Sequence, residues 1–397
     1  MAEMLSAAEI EALRAGTPGC RDELIHLNHA GSSLPPAAVL DTQIGHLRRE
    51  ATMGGYEAAA AAAASTERVY ESVAALLGAG RHEIARAEHA SAAWNAAFWS
   101  IPMRAGQRVI THDHDYGANV VAMLHAAATR DVTVQRIPSD EVGQIDLVAL
   151  AEALEDPDEV AVVSLAWIPT NGGLVNPAAA VGALTRDAGV PFLLDACQAV
   201  GQLAIDVDTI GCDFLSGTGR KYLRGPRGTG FLYVRDDILD RVVPSQPDHH
   251  GADWTAADRY EFVPGATRFE QWEYSHANWL GLGTAVDVAL DVGLDRIQAT
   301  VSERGRQLRA LLVDAGLTVH DRGIARCGIV TATHPTIEAG VLRDRLGEHG
   351  INTSVTMVGS SRFDVEERGL PPLLRLSVHA TTTVDELERT ADVLAAF

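Results

Sequence analysis

The sequence contains almost no lysine: Lys221 is the only one among 32 lysine and arginine residues. Arginine can replace lysine wherever only a positive charge is needed, but it cannot replace an amine that must lose its proton and attack a carbonyl group. A lysine that remains in such a chain is therefore a candidate for covalent chemistry, and Schiff-base formation is one of the few roles limited to lysine. The alternative is a surface lysine that remains by chance.

Aromatic residues, cysteine and long apolar runs are also scarce. Aromatic residues make up 5% of the chain, and the four cysteines show neither metal-binding nor redox spacing. No apolar run approaches the roughly 18 residues that a membrane-spanning helix needs. Residues 1–16 lack the basic and apolar regions of a secretory signal. These features predict a cytoplasmic protein with reduced thiols and no membrane contact.

Positive charge is in the minority, with 53 acidic against 32 basic residues and a formal net charge of −21. Nucleic acids and anionic membranes require a basic surface, so neither is expected as a partner. The chain has 397 residues, of which 47% are apolar, and this length exceeds what one hydrophobic core usually serves. We therefore predict two domains in one compact unit.

Short β-rich runs alternate with helical stretches in the first two thirds of the chain. These runs lie at 108–112, 133–138, 159–168, 190–196, 212–217 and 228–235. Helical segments of roughly 10–15 residues separate several of them, which indicates βαβ units and a mostly parallel sheet.

Other segments have different patterns. Residues 36–78 are rich in alanine and helical in pattern, whereas 244–276 are irregular. A long helix is predicted over 279–315. The remainder mixes strands with helices, which is typical of a smaller α+β domain.

The neighbourhood of Lys221 offers what the cofactor pyridoxal 5′-phosphate (PLP) requires. PLP needs a lysine for its aldehyde, an acid opposite its ring nitrogen, phosphate donors and a group against its ring face. Asp195 ends the apolar run VPFLLD, at the carboxyl end of a predicted buried strand, where open α/β sheets bind ligands. A helix N-cap or a simple salt bridge is the alternative for Asp195. Gln198 can bond the phenolic oxygen of the cofactor, or it is a residue of the first turn of a helix.

Candidate phosphate donors occur in two glycine- or alanine-rich segments. Thr218 and Arg220 belong to SGTGRKYLRGPRGTGFLYV, and both side chains can bond a phosphate. In AEHASAAWNAAF, Ala90 and Ser91 would present N–H groups at a helix N-terminus, which is a ready anion site. Taken alone, this second segment is more simply interpreted as an ordinary helix cap.

Two further segments offer contacts to the ring and to a substrate. THDHDYGANV contains two histidines and two aspartates, but successive residues at a strand end cannot all face one ion, so no metal site is predicted. Tyr116 or His114 is better placed to stack on the cofactor ring. Arg375 is the sole arginine in the apolar strand LLRLSVH and would bind a substrate carboxylate, unless an internal Asp or Glu pairs with it.

Together these segments resemble the class V aminotransferase and cysteine desulfurase family of fold-type I PLP enzymes. The resemblance covers nearly the whole chain and rests on HLNHAGSSLPP, DACQAVG, DFLSGTGRKYLRGPRGTGFLYVR and LRLSVHATTTVDELE. Within the family, MGGYEAAAA, DYGANVVAM and RKYLRGPRGTG are most similar to C–S lyases of the ergothioneine and lincosamide pathways. The resemblance implies an α/β fold, with a mostly parallel seven-stranded sheet flanked by helices and a smaller α+β domain.

The resemblance also implies a role for each candidate residue. Lys221 would be catalytic and would hold PLP. Cofactor contacts would come from Ala90, Ser91, Tyr116, Thr170, Asp195, Gln198, Thr218, Arg220 and Ser275. Substrate contacts would come from Arg375, His29, Ala30 and Tyr56. The implied domains are an N-terminal segment (1–25) packed against the small domain, a large PLP-binding domain (26–278) and a small C-terminal domain (279–397).

One departure from the family pattern bears on function. Cysteine desulfurases carry a nucleophilic cysteine on a loop of the small domain, and the corresponding stretch 352–372 contains none. The predicted function is therefore β-elimination on an S-substituted L-cysteine or its sulfoxide, giving a thiol or sulfenate, pyruvate and ammonia in a specialised sulfur-metabolite pathway. The alternatives are decarboxylation with oxidative deamination, transamination or racemisation, a desulfurase, and a non-catalytic protein with this fold. A homodimer is also implied, in which 244–278 reaches the neighbouring active site.

Overall fold

A computed structural model describes residues 3–21 and 23–397. Its helices are α1 (Ala7–Ala15), α2 (Ala37–Met53), α3 (Gly55–Ala61), α4 (Ala63–Leu77), α5 (Ala90–Ser100), α6 (Gly117–Arg130), α7 (Leu147–Ala153), α8 (Ala178–Ala188), α9 (Val207–Ile210), α10 (His276–Val292), α11 (Leu294–Asp314), α12 (Ala339–Glu348), α13 (Arg362–Glu367) and α14 (Val384–Ala395). None of the helices in the described ranges is both long and apolar enough to cross a membrane.

The strands form one large sheet and three smaller ones. They are β1 (Ile25–His26), β2 (Ile84–Ala87), β3 (Arg108–His112), β4 (Thr133–Ile137), β5 (Val160–Ala166), β6 (Phe192–Asp195), β7 (Phe214–Thr218), β8 (Gly230–Val234), β9 (Ala252–Ala256), β10 (Arg259–Phe262), β11 (Thr318–Val319), β12 (Ile329–Thr333), β13 (Ile351–Asn352), β14 (Ser354–Val355) and β15 (Leu374–Ser377).

The large sheet has seven strands in the order β2-β8-β7-β6-β5-β3-β4. The five strands from β7 to β4 run parallel, whereas β8 and β2 are antiparallel to their neighbours. All residues of β5, β6, β7 and β8 are buried, as expected for central strands covered by helices on both faces. The predicted α/β fold with a mostly parallel sheet is confirmed.

The predicted strand runs agree with β3 to β8 to within two residues at each end. The helix predicted over 279–315 is instead two helices, because Gly293 has a φ of 92° and separates α10 from α11. Only glycine adopts this left-handed region without strain, so the chain turns at this point. The irregular stretch 244–276 contains the antiparallel pair β9–β10.

A four-stranded antiparallel sheet of order β11-β12-β15-β14 forms a second, smaller layer with α11, α12 and α14. Residues near the N-terminus contact this unit: Arg14 bonds Glu386 at 2.9 Å, and the Leu5 amide donates to Thr300 at 2.9 Å. These contacts support the proposed packing of the N-terminal segment on the small domain. Helix α10 crosses the proposed boundary at 278/279 and packs against α2 and α4.

Candidate active site

The candidate site is a pocket of about 160 Å³ at the carboxyl edge of the large sheet. The carboxyl ends of parallel strands meet at one edge, so residues distant in sequence are brought together there. Nine predicted residues line this pocket: Ala90, Ser91, Tyr116, Thr170, Asp195, Gln198, Thr218, Arg220 and Lys221.

Lys221 lies in the loop that joins the antiparallel strands β7 and β8. Within this loop, residues 221–224 form a tight turn in which the Arg224 amide donates to the Lys221 carbonyl at 2.9 Å. Burial lowers the pKa of the Lys221 amine; the guanidinium groups of Arg220 and Arg375 act in the same direction, and Asp195 opposes them. A lowered pKa makes the neutral, nucleophilic amine more accessible near pH 7 than in a surface lysine.

Asp195 is the last residue of β6 and is 6% exposed. Its Oδ1 accepts the Cys197 backbone N–H at 2.9 Å, and its Oδ2 accepts the Asn119 side-chain amide at 2.9 Å. The carboxylate is therefore held in one orientation by two donors. Asp195 was predicted from the sequence, whereas Asn119, which lies on α6, 76 positions away, was not.

An anion site is formed by the start of α5 and the end of β7. Ala90 and Ser91 are the first two residues of α5, and N–H groups at this position have no partner within the helix. The hydroxyl of Thr218 and the guanidinium of Arg220 complete the lining. His89, which the sequence analysis did not single out, caps the helix by accepting the Ala92 amide at 3.0 Å. These groups are suited to a phosphate.

Gln198 connects the pocket to the N-terminal part of the chain. Its Nε2 donates to the Ala30 carbonyl at 3.2 Å and to the Thr170 hydroxyl at 3.4 Å. Its buried Oε1 has no hydrogen-bond partner among the described residues. Buried polar atoms are nearly always satisfied, so such an atom at a pocket wall indicates a bound molecule.

Arg375 on β15 is a buried cation without an opposite charge. Its guanidinium donates to the Thr170 carbonyl at 2.9 Å and to Asn28 Oδ1 at 3.3 Å, and Nε has no partner in the described ranges. No Asp or Glu within those ranges forms a salt bridge with it, in contrast to the internal pairing considered from sequence. Burial lowers the pKa of Arg375, which is the electrostatic cost of an unneutralised guanidinium.

Of the two candidates for the ring face, Tyr116 lines the pocket and His114 does not. The His114 ring is buried and faces the Asp364 carboxylate at 3.4 Å. No group of three or more His, Cys, Asp or Glu side chains arranged for a metal occurs in the described part of the chain.

Five predicted site residues lie outside the pocket lining: His29, Ala30, Tyr56, Ser275 and Arg375. His29 is buried, stacks on His379 with ring centroids 5.0 Å apart, and shares a 2.9 Å hydrogen bond with Ser33. Tyr56 is 79% exposed on α3. Ser275 caps α10 and lines an adjoining cavity of about 350 Å³.

The residues of the pocket fit PLP. A lysine of lowered pKa and a fixed carboxylate are present in one pocket with an anion site at a helix N-terminus. The unpartnered Gln198 Oε1 is a polar atom that the cofactor region would satisfy. Lys221 would hold the aldehyde carbon, Asp195 the ring nitrogen, and Ala90, Ser91 and Thr218 the phosphate.

Three relatives show the range of known proteins that are similar in sequence. A probable hercynylcysteine sulfoxide lyase of Mycobacterium tuberculosis is 29% identical over 379 residues, covering 94% of this chain and 90% of its own. An isopenicillin N epimerase of Streptomyces clavuligerus is 28% identical, covering 82% and 83%. A probable cysteine desulfurase of Methanothermobacter thermautotrophicus is 26% identical, covering 76% and 75%.

Solved structures show the same fold. A cysteine desulfurase of Thermococcus onnurineus superposes with a TM-score of 0.90 at 20% identity, over 100% of this chain and 99% of its own. A cystine C–S lyase in complex with its product cysteine persulfide has a TM-score of 0.85 at 19% identity, over 96% and 99%.

The family is established by a third comparison. A sequence model described as aminotransferase class V matches residues 25–390 and therefore includes Asp195, Lys221 and Arg375. This match confirms the predicted enzyme class and the predicted cofactor, PLP. The chain belongs to the class V aminotransferase family.

Proposed function

We propose that the protein is a PLP-dependent C–S lyase that acts on an S-substituted L-cysteine or its sulfoxide. The observation that carries this proposal is the pocket together with the arginine beside it. Lys221, whose pKa is lowered, lines the pocket, and Arg375, a buried arginine without a carboxylate partner among the described residues, bonds the pocket residue Thr170. The thiol of Cys197, which also lines the pocket, has a raised pKa and is not a reactive thiolate. The similarity to a probable hercynylcysteine sulfoxide lyase over nearly the full length supports the same class of substrate.

The state of the cysteines argues against persulfide chemistry. Burial raises the pKa of all four thiols, those of Cys20, Cys197, Cys212 and Cys327, above the ordinary value for cysteine. The pKa of Cys327 is raised to about 12. The thiolate is the reactive form of cysteine, so a raised pKa makes each thiol a poor nucleophile. A desulfurase that transfers sulfur to its own cysteine needs a thiolate at the substrate, whereas a β-lyase needs none.

Three residues would perform the chemistry that the chain supplies. Arg375 binds the substrate carboxylate through charge-assisted hydrogen bonds and so orients the Cα–H bond. Lys221 would take the Cα proton as a general base. Asp195 keeps the ring nitrogen protonated. When bound, PLP withdraws the electron pair released at Cα.

The overall reaction balances without an oxidant or reductant. The Cα–H and Cβ–S bonds break, the sulfur leaves with the bonding electron pair of the Cβ–S bond, and one water is consumed. The products are a thiol, pyruvate and ammonium, or a sulfenate in place of the thiol when the substrate is a sulfoxide.

A second candidate is reprotonation at Cα, which would give racemisation. The 28% identity to an isopenicillin N epimerase favours it, since that reaction also begins with loss of the Cα proton. Transamination and decarboxylation share the same early step, and the products separate them: pyruvate marks elimination, a keto acid that retains sulfur marks transamination, and an aldehyde marks decarboxylation.

The protein is further proposed to act as a homodimer. Helix α2 exposes the apolar side chains of Leu40, Leu47 and Met53, each between 46% and 53% accessible. Tyr56, predicted at the substrate site, is exposed on the adjacent α3 and lies outside the pocket of its own chain. A second copy that covers this surface would bury the apolar side chains and bring Tyr56 to a neighbouring pocket.

The proposal is tested by incubating the holoenzyme with S-alkyl-L-cysteines and their sulfoxides and measuring pyruvate, ammonia and the D-amino acid in the same samples. We expect equal amounts of pyruvate and ammonia. Lys221→Ala and Lys221→Arg should both lose the cofactor's visible absorption band and all turnover. Arg343→Ala, on the exposed face of α12, is the matched control and should behave as wild type. Racemised substrate without pyruvate would replace elimination by the second candidate, and residual pyruvate release by Lys221→Ala would refute the assignment.

A further inference from the structure

A buried polar cluster lies directly behind the candidate site, between the large sheet and α6. It consists of Thr111 on β3, Asp115 in the β3–α6 loop, Asn119 on α6, Ser164 on β5 and Asp195 on β6. Each of these residues is at most 6% exposed. Burial of two carboxylates in one cluster costs free energy, so their presence here needs an explanation.

Both oxygens of Asp115 are fully engaged. Oδ2 accepts the Thr111 hydroxyl at 2.6 Å and the Ser164 hydroxyl at 3.4 Å. Oδ1 accepts the Tyr116 backbone N–H at 2.6 Å and the Asn119 side-chain amide at 3.0 Å. Four donors from three different elements therefore fix the position of this carboxylate, which itself is not part of the pocket lining.

Asn119 links Asp115 to the cofactor acid. Its single Nδ2 donates to Asp115 Oδ1 at 3.0 Å and to Asp195 Oδ2 at 2.9 Å. An amide nitrogen carries two N–H groups, so each carboxylate receives one of them. The orientation of Asn119 is thus set by both carboxylates, and a shift of Asp115 would be transmitted to Asp195.

The Asp115 carboxylate also accepts a hydrogen bond from Tyr116, the residue predicted at the ring face. Tyr116 is the N-cap of α6, and its backbone N–H is held by Asp115 Oδ1. One buried side chain is therefore bonded to the backbone of the predicted ring-stacking residue and, through Asn119, to the acid predicted opposite the ring nitrogen.

We propose that Asp115 and Asn119 are positioning residues for the cofactor, which together fix Asp195 at the ring nitrogen and Tyr116 at the ring face. Neither residue contacts the substrate or the reacting atoms. The proposal depends on the cofactor and not on the C–S lyase reaction, so it can fail or hold independently of the proposed function.

The electrostatics agree with this arrangement. Burial raises the pKa of Asp115 to about 6; the hydrogen bonds from Thr111 and Asn119 oppose the rise, and the charge of Asp195 adds to it. A group that served only to fill space between β3 and α6 would be apolar, because an apolar side chain there would avoid the cost of desolvation. The carboxylate is useful where a fixed acceptor for two N–H donors is required.

The test uses Asp115→Ala, Asn119→Ala and the conservative Asp115→Asn, with Met123→Leu as the control. Met123 is fully buried one turn further along α6 and contributes no polar group to the cluster. The affinity for PLP is measured by titrating the apoprotein, and the orientation of the bound ring by visible circular dichroism. Thermal unfolding of the apoproteins measures any purely structural effect separately.

We expect Asn119→Ala and Asp115→Ala each to weaken PLP binding about tenfold, as for loss of a hydrogen bond to a charged group, and to change the visible dichroism. The double variant should be little worse than the single ones, because both remove one linkage. Asp115→Asn keeps an acceptor oxygen for Tyr116 and Asn119 and should retain wild-type dichroism.

Wild-type affinity and dichroism in Asn119→Ala would overturn the proposal. A lower unfolding temperature of apo Asp115→Ala with an unchanged cofactor signal would do the same, since it would show a structural role only. If Asp115→Ala does not fold, Asn119→Ala decides alone, because it leaves three of the four hydrogen bonds to Asp115 in place.

Discussion

At the residue scale, the informative contrast is between two buried arginines of the smaller unit. Arg309 on α11 pairs with Asp321 at 2.8 Å. Arg375 on β15 is equally buried but bonds only neutral oxygens of Thr170 and Asn28. A buried guanidinium without a carboxylate is costly, and we propose that an anionic group of the substrate pairs with Arg375.

Arg375→Gln is expected to raise the KM for an S-substituted cysteine about 100-fold, because loss of the charged partner of a buried carboxylate costs about 3 kcal/mol. The KM of Arg375→Lys should lie between those of the wild type and Arg375→Gln, since lysine keeps the charge but not the forked geometry. Steady-state kinetics measures the change, and the visible band of the cofactor should be unaffected in both variants. A normal KM with a reduced kcat would mean that Arg375 serves the chemical step rather than carboxylate binding.

The sequence predicted those site residues whose neighbours along the chain carry the signal. Lys221 was identifiable because it is the only lysine, and Asp195 because it ends an apolar strand. Asn119 and Asp115 were missed, because the signal for Asn119 is a contact with Asp195, 76 positions away, and Asp115 is linked to Asp195 only through Asn119. No local sequence pattern encodes these contacts. The sequence could not separate Tyr116 from His114 as the residue at the ring face, and of these two only Tyr116 lines the pocket.

At the element scale, the start of α6 meets a segment from the smaller unit. The Asp364 amide donates to the Asp113 carbonyl at 3.1 Å, and Asn171 bonds the Met357 carbonyl at 3.3 Å. At Gly117, the first residue of α6, an added Cβ would lie 2.0 Å from the Gly359 carbonyl oxygen. The close approach of the segment 356–364 beside Tyr116 therefore depends on the missing side chain of Gly117.

Gly117→Ala is expected to displace the segment 356–364 and to increase its hydrogen exchange, measured by mass spectrometry. The matched control is Gly340→Ala in the first turn of α12, where an added Cβ meets no atom within 4 Å. Alanine favours a helix by about 1 kcal/mol over glycine, so the control should be neutral or stabilised. Unchanged exchange in Gly117→Ala would show that the segment can shift without losing its contacts.

Six of the seven strands of the large sheet, β3 to β8, were predicted because they are short β-rich runs, several of them separated by helical segments. The short strand β2 was not predicted. The hairpin β9–β10 was not, because most of its residues face solvent and it lacks the alternation of a half-buried strand. The division of the predicted helix 279–315 at Gly293 also escaped the pattern, since an isolated glycine is tolerated within many helices.

At the scale of the whole molecule, a single chain leaves parts of the predicted site apart. Tyr56 on α3 is exposed, and Ser275 faces the adjoining cavity rather than the pocket of Lys221. The exposed apolar side chains of α2 lie next to Tyr56 in sequence. With a formal net charge of −21, two copies would repel each other unless they associate through an apolar surface such as this one. The proposed homodimer accounts for these features together.

Mixed dimers distinguish a Tyr56 that serves the partner's site from one that serves its own. Tyr56→Ala alone is expected to lower activity by on the order of tenfold, as for truncation of a buried interface tyrosine. Lys221→Ala alone is expected to abolish activity.

The mixing experiment combines the two variants. After they are unfolded and refolded together, random pairing makes half of the dimers mixed, and each mixed dimer has one site with Lys221 and a partner's Tyr56. Activity should then recover to about a quarter of wild type, as the symmetry of a two-site dimer requires. Light scattering measures whether the refolded species are dimers. If Tyr56 acts within its own chain, the mixture will not exceed the activity of Tyr56→Ala, because each subunit that retains Lys221 lacks Tyr56.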